Sequence, residues 1–296
     1  ERLLAARFNR PGHEIVDHRT WVIASDGDLM EGVASEASSL AAHWGLSKLC
    51  VFYDDNRITI DGTTAVSFTE DVGARYVAYG WNVVHLADTA GPDEYAAAAE
   101  AARRETSKPT LVVCRTHIGF GSPHKQDTSK AHGEPLGAEE IKLTKRAYGW
   151  PEDASFLVPD DVRAHARAAG GRGGPKAAAW RMRLEAYRRA FPDDARRFED
   201  ALAGRLPAAV AAAVDSVGAD RKPVATRKSS AAAIQALAAV VPSLVGGSAD
   251  LAASNLTTIV GGGDVARDAF AGRNLHFGIR EHAMGAIMNG LALHGG

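Results

Sequence analysis

The sequence predicts an α/β fold, a parallel sheet flanked by helices, and three observations carry the prediction. Four short apolar runs, WVIA, KLCVFY, WNVVHL and TLVVCRT, recur between Trp21 and Thr116. Helix-like stretches separate them: LMEGVASEASSLAAHW, TEDVGARYVAYG and DEYAAAAEAARRETS. Strands alternating with helices of this length build βαβ units, and such units build parallel sheets. The third observation is polar residues at the ends of two runs: Asp26 follows the first, and Asn56 closes the Asp-Asp-Asn after the second.

Taken in order, the opening LLAARF is already helix-periodic. An Asp-Gly pair follows WVIA, and a helix-like segment comes next, before KLCVFY. Glu70 and Asp71 after Thr69 make a helix start with acidic residues in its first turn, and Gly80 makes its stop. Residues 117–137 form a long polar loop rich in Gly, His and Lys, of the length and place that functional loops take. From about Gly149 to Lys222 the composition turns to Ala and Arg with Pro and Gly breaks. Segments such as AAAWRMRLEAYRRAF and the run Ala201 to Val214 read as helices. The expected organisation is therefore a first α/β domain over 1–150, a helical linker over 151–223, and the start of a second α/β domain over 224–296. That second domain should carry a helix from Ser229 to Val240, strands at LVGG and NLHFGI, and a helix from Glu281 to Leu293. The chain opens mid-helix and closes directly after a helix, so both domains are expected to be incomplete.

Composition narrows the function classes. A net charge of −2 in 296 residues gives no electrostatic case for nucleic acid or an anionic membrane surface. No apolar run reaches 18 residues, so no membrane span is expected. The first twenty residues are too charged for a signal peptide, which makes the cytoplasm the expected location. Cys50 and Cys114 lie inside apolar runs and read as buried strand residues rather than a disulfide pair.

Asp26 and Asn56 are 30 residues apart, one strand-helix-strand unit. Both should therefore lie at the carboxyl edge of neighbouring parallel strands, where open α/β sheets bind ligands. A carboxylate and an amide oxygen, with no thiolate or imidazole between them, suit a hard cation such as Mg²⁺, which completes its shell with phosphate oxygens and water. An all-oxygen set also admits Ca²⁺ or Mn²⁺. The segment reads as a site for a metal-bound diphosphate. On their own, Asp26 also reads as a helix N-cap and Asn56 as a turn residue.

The order and spacing of DGDLMEG, EASSLA, YDDNRITIDG, TEDV, AYGW, KPTLVVCRTHIGFGSP, HGEPLG, TRKSS, GGSADLAASNLT and FGIREHAMGAIMNG resemble the transketolases, thiamine diphosphate enzymes. The resemblance implies the thiamine diphosphate-binding fold and transfer of a two-carbon ketol unit from a ketose phosphate to an aldose phosphate, through carbanion chemistry that the cofactor supplies. It assigns Asp26, Asn56 and the backbone carbonyl of Ile58 to the metal, and Gly27 and Asn56 to the diphosphate. Ser25 stands where the family often has Gly, a small-for-small exchange. Glu281 resembles the glutamate that holds a proton against the aminopyrimidine ring, and it should be poorly solvated. His132 matches a histidine that reaches cofactor and donor sugar. Arg227 and Ser254 match positions that bind the sugar phosphate. His117 and His124 share the loop without a motif match, and His124 reads as a surface residue. Glu31, Glu36 and Asp250 match acidic positions near a subunit contact and stay outside the catalytic set. The family layout implies a homodimer with the cofactor between subunits.

Two rivals remain at this point. Relatives with the same cofactor, such as dihydroxyacetone synthases and deoxyxylulose phosphate synthases, differ in acceptor; YDDNRITIDG and SADLAASNLT follow the transketolase pattern more closely than the latter. A non-catalytic fragment or split subunit is the other rival, and reading the frame beyond both ends would discriminate it.

Overall fold

The computed structural model describes residues 1–217 and 223–296. The last part of the expected linker, residues 218–222, lies outside the described residues. The chain forms two compact units. One comprises residues 19–42 and 46–177; the other comprises 1–18, 43–45 and 178–296.

The first unit holds the parallel sheet. Its strands are β1 (Thr20–Ser25), β2 (Leu49–Asp55), β5 (Asn82–Leu86) and β6 (Thr110–Arg115), in spatial order β1-β2-β6-β5. All three pairings are parallel, with Ser25 opposite Asp54 and Asp54 opposite Cys114. Each strand is one of the four apolar runs. Leu111 and Val112 of β6 are fully buried, as expected for a central strand covered on both faces. One face packs Val51, Tyr53, Leu111 and Val113 against Leu29, Ala41, Val72, Tyr76 and Trp81. The other packs Cys50, Val112 and Cys114 against Ala98 and Ala102. Both thiols are free, and burial pushes each up to about 11, so they are inert core residues.

Local chemistry sets the helix limits. The helix Val72–Tyr79 starts on Asp71, whose carboxylate accepts the Ala74 N–H at 2.9 Å. It stops at Gly80, whose φ of 97° is open to glycine at little cost. The helix Pro92–Arg104 has Pro at its start, acids in its first turn and Arg103 and Arg104 in its last. A two-residue hairpin, β3 (Ile58–Thr59) with β4 (Gly62–Thr63), follows β2 directly.

The second unit gathers distant sequence. The helix Arg2–Phe8 buries Leu4 and Phe8 with Ile15, Val16, Leu184, Tyr187, Ala195 and Phe198. Arg10 and Asp194 add an ion pair at 2.5 Å. Compaction thus joins the first eighteen residues to residues from 178 onward, because the apolar face of the opening helix finds its partners there. The expected helix over Ala201 to Val214 is corrected: helices span Pro192–Leu202 and Val210–Ser216, with an irregular stretch between. Gly204, at φ 64°, and Pro207 break the run. Beyond it, the helix Thr226–Val240 leads to β7 (Gly246–Ser248), which pairs in parallel with β8 (Asn274–His276) ahead of the helix Glu281–His294. A Cβ on Gly247 would stand 1.8 Å from the Leu275 carbonyl oxygen, so this pairing requires glycine. Among the described residues no helix is long and apolar enough to cross a membrane.

Candidate active site

The register of β1 on β2 places Asp26 and Asn56 just past the carboxyl ends of adjacent parallel strands. Asp26 is 2% exposed. It does not cap the short helix Asp26–Met30. Ser25 is the N-cap, and Asp28 closes the capping box with it, its Oδ2 accepting the Ser25 N–H at 2.8 Å and the Ser25 hydroxyl at 3.0 Å. Ser25 has an extended backbone at φ −115°, so the position makes no demand for glycine.

The Asp26 carboxylate turns to the β2 side. Its Oδ1 accepts the Tyr53 hydroxyl at 2.5 Å and its Oδ2 accepts the Arg57 N–H at 2.9 Å. Arg57 has φ 63°, a left-handed conformation uncommon outside glycine. Asn56 lies beside it, 9% exposed. Its Oδ1 accepts the Ile58 N–H at 2.9 Å, and its Nδ2 donates to Asp54 Oδ2 at 3.1 Å. The two side chains therefore hold successive amides of one turn, Arg57 and Ile58. Asp54 Oδ1 in turn accepts the Thr116 hydroxyl at the end of β6.

This donor set fits a hard divalent cation. Each Asp26 oxygen accepts one hydrogen bond and keeps a lone pair, and so does Asn56 Oδ1. Burial pushes the Asp26 carboxyl above its usual range, only partly offset by its two hydrogen bonds, and Asp55 and Asp54 add to the rise. A buried carboxylate in that position is stabilised by a cation. A cavity of about 480 Å³ opens beside it, lined by Asp26, Asp55, Glu70 and Asp71 against Arg57. Among the described residues no group of three or more His, Cys, Asp or Glu side chains could hold a metal. The candidate set instead uses one carboxylate with neutral oxygens. Gly27 has no neighbour within 4 Å of where a Cβ would be, so packing within the chain does not require its smallness.

The long loop after β6 is ordered by carboxylates that the sequence reading passed over. Glu140 accepts the Ser122 hydroxyl, the His124 N–H at 2.8 Å and a His124 ring contact at 2.8 Å. His124 lies at the surface, as expected, and also anchors the loop through Glu140. His117 Nδ1 lies 2.9 Å from Asp127. His132 is exposed on a single helical turn, Lys130–Gly133. The Ser122 hydroxyl, the His124 N–H and the His124 ring together pull the Glu140 carboxyl from 4.5 to about 2. The sign follows from linkage: a depressed carboxyl contributes fully above its unfolded value and loses that contribution as pH falls from about 4.5 towards about 2. Protection of the His124 amide, measured against its intrinsic exchange rate, should therefore fall across that acid window. Glu140→Ala should remove the same protection at neutral pH; unchanged protection of the His124 amide in that variant refutes the anchor.

The other expected residues lie in the second unit. Glu281 opens the helix Glu281–His294 and is exposed in the single chain, where poor solvation was expected. Among the described residues no side chain closes over the start of that helix enough to bury it. Arg227 and Ser254, 27 residues apart, are brought together: an Arg227 Nη1 donates to the Ser254 carbonyl at 3.5 Å. Asp250 (φ 60°) and Leu256 (φ 58°) flank Ser254 in left-handed conformations. A cavity of about 760 Å³ in this unit is lined by Arg7, Arg10, Arg197, Arg205 and Arg273, and holds none of the expected site residues.

Tyr53, Asp54 and Thr116 are the residues that sequence reasoning missed. Tyr53 read as one more apolar strand residue. The only available signal was a hydroxyl placed three residues before Asn56 in a strand whose end carries the site.

Comparison with known proteins gives the family. Residues 1–207 match the family model described as transketolase, thiamine diphosphate binding domain, and residues 222–296 match transketolase, pyrimidine binding domain. The transketolase of Geobacillus stearothermophilus is 50% identical over all of this chain and 44% of its own length. The chloroplastic transketolase of Zea mays is 47% identical over 99% of this chain and 44% of its own. The solved Pichia stipitis transketolase in complex with sedoheptulose-7-phosphate superposes with a TM-score of 0.93 at 43% identity, covering 99% of this chain and 44% of that one. The chain spans less than half the length of these relatives. By its sequence and by its fold, the chain belongs to the transketolase family.

Proposed function

We propose that the protein carrying this chain is a transketolase, moving a two-carbon ketol unit between sugar phosphates with thiamine diphosphate and Mg²⁺. The observation that carries the reading is the pair Asp26 and Asn56, gripping successive amides of the Arg57–Ile58 turn at the carboxyl ends of adjacent strands. Fold alone would not suffice, since folds host many activities. Family membership at about half identity and the donor chemistry of this edge support the reading together.

Asp26, Asn56 and the Ile58 carbonyl would hold the metal, and Gly27 and Asn56 the diphosphate. Thiamine diphosphate supplies the carbanion chemistry when bound. The chain's own residues bind, orient and move protons. His132, on its exposed turn, would exchange protons with the sugar hydroxyls. Arg227 would grip the sugar phosphate through its guanidinium, with the Ser254 hydroxyl adding a directional bond. Glu281 would hold its proton at a pyrimidine ring nitrogen. Its exposure in the single chain accords with a site completed by a second subunit, so a two-fold homodimer belongs to the proposal.

A product assay tests it. With a ketose phosphate donor, the full-length protein that carries this chain should extend ribose 5-phosphate by two carbons in preference to formaldehyde. Preference for formaldehyde would move the protein to the dihydroxyacetone synthases, and no transfer to either acceptor would leave the reading without an activity.

A further inference from the structure

We infer that Tyr53 and Asp54, consecutive residues of β2, are positioning residues that lock the two side-chain metal donors, Tyr53 holding Asp26 and Asp54 holding Asn56. The inference rests on the metal reading proposed above.

Adjacent strand residues project to opposite faces of a sheet. Tyr53 shares its face with Val51 in the core and is 3% exposed. A phenol buried there needs a partner for its O–H. It has one, Asp26 Oδ1 at 2.5 Å. With the Arg57 N–H on Oδ2, the carboxylate is held at both oxygens and cannot rotate without losing a bond in a buried setting. Tyr53 is therefore more than a filler of the apolar run.

Asp54 acts on the other donor in a different way. An asparagine amide presents oxygen on one side and NH₂ on the other, and only the oxygen can face a cation. Asp54 Oδ2 accepts Asn56 Nδ2, while Asn56 Oδ1 accepts the Ile58 N–H. A flipped amide would turn its oxygen onto the Asp54 carboxylate and its NH₂ onto the Ile58 N–H, two repulsive contacts in place of two bonds. Asp54 is itself fixed, because its Oδ1 takes the Thr116 hydroxyl from the end of β6. The ends of β2 and β6 thus set the orientation of both donors before any ion arrives. Groups that orient metal ligands typically govern affinity by ~10–100-fold without touching the ion.

The test is a Mg²⁺ titration of the full-length protein that carries this chain with thiamine diphosphate present, following cofactor binding by calorimetry. Tyr53→Phe and Asp54→Leu should each raise the Mg²⁺ concentration needed by ~10–100-fold, with turnover restored at saturating Mg²⁺. A merely structural role would lower the melting temperature of the metal-free protein and leave the Mg²⁺ dependence alone. Asp54→Asn keeps a carbonyl for Asn56 and an NH₂ for Thr116, so it should recover most of the affinity. Unchanged Mg²⁺ dependence in Tyr53→Phe and Asp54→Leu overturns the inference, and an Asp54→Asn variant as impaired as Asp54→Leu overturns the amide-orienting role. Should Asp54→Leu fail to fold, Asp54→Ala is read in the same titration with the same two outcomes. Asp26→Asn is the control that separates the two levels: if it leaves Mg²⁺ dependence intact, the metal reading itself fails.

Discussion

Glu281→Ala in the full-length protein that carries this chain should lower turnover by at least ~10²-fold, the range of general acid–base effects, while leaving the fold intact. Magnitudes separate this role from the ordinary alternative. As an exposed acid at a helix start, Glu281 would contribute about 0.3–1 kcal/mol through the helix dipole. A ~10²-fold loss in rate corresponds to about 2.7 kcal/mol of transition-state stabilisation. A residue acting only on the helix cannot account for that, and a melting curve would register what little it does. The check is paired: turnover with cofactor and Mg²⁺ saturating, and the melting temperature of the same preparation. Near-normal turnover removes the assignment. A drop in both would turn attention to the helix Glu281–His294 as a packing element.

Asp26→Asn should have effects of opposite sign on binding and on stability. It would leave the proposed metal with no charged protein ligand, so Mg²⁺-dependent cofactor binding should weaken by at least ~10²-fold, at or beyond what loss of an orienting group costs. Stability of the metal-free protein should hold or rise. The reason is the raised carboxyl: burial favours its protonated form in the folded state. A raised carboxyl stabilises the fold below its unfolded value of 3.8, and that contribution is lost as pH rises through the folded value. At neutral pH the ion-free protein therefore bears the cost of an ionised, buried carboxylate, and the amide avoids it. Melting curves with and without Mg²⁺ and cofactor read both effects. If Asp26→Asn instead destabilises the ion-free protein and leaves Mg²⁺ binding unchanged, Asp26 is a structural residue.

Much of the first unit was legible because its signals are local. Four apolar runs became four parallel strands, and Gly80 stopped its helix where a left-handed residue was needed. The break at Gly204 and Pro207 was also written locally, yet the alanine content of Ala201 to Val214 outweighed it in the reading. Other features had no local signal. Nothing near Leu4 says that it packs on Tyr187 and Phe198, and nothing near His124 names Glu140 as its partner. The left-handed Arg57 is held by Asp26, 31 residues earlier.

By itself the sequence determined the alternation of strands and helices, the family, and the identity of the candidate donors, because periodicity and motif spacing are properties of neighbouring residues along a chain. Only the tertiary structure decided that Asp26 turns towards Tyr53 and Arg57, that Asp54 fixes the Asn56 amide, and that Arg227 meets Ser254. Each of these is a choice among hydrogen-bond partners of similar local quality. For Asp26 and Asn56 burial settles it, because a polar group removed from water must take whichever partner the packed sheet brings within reach.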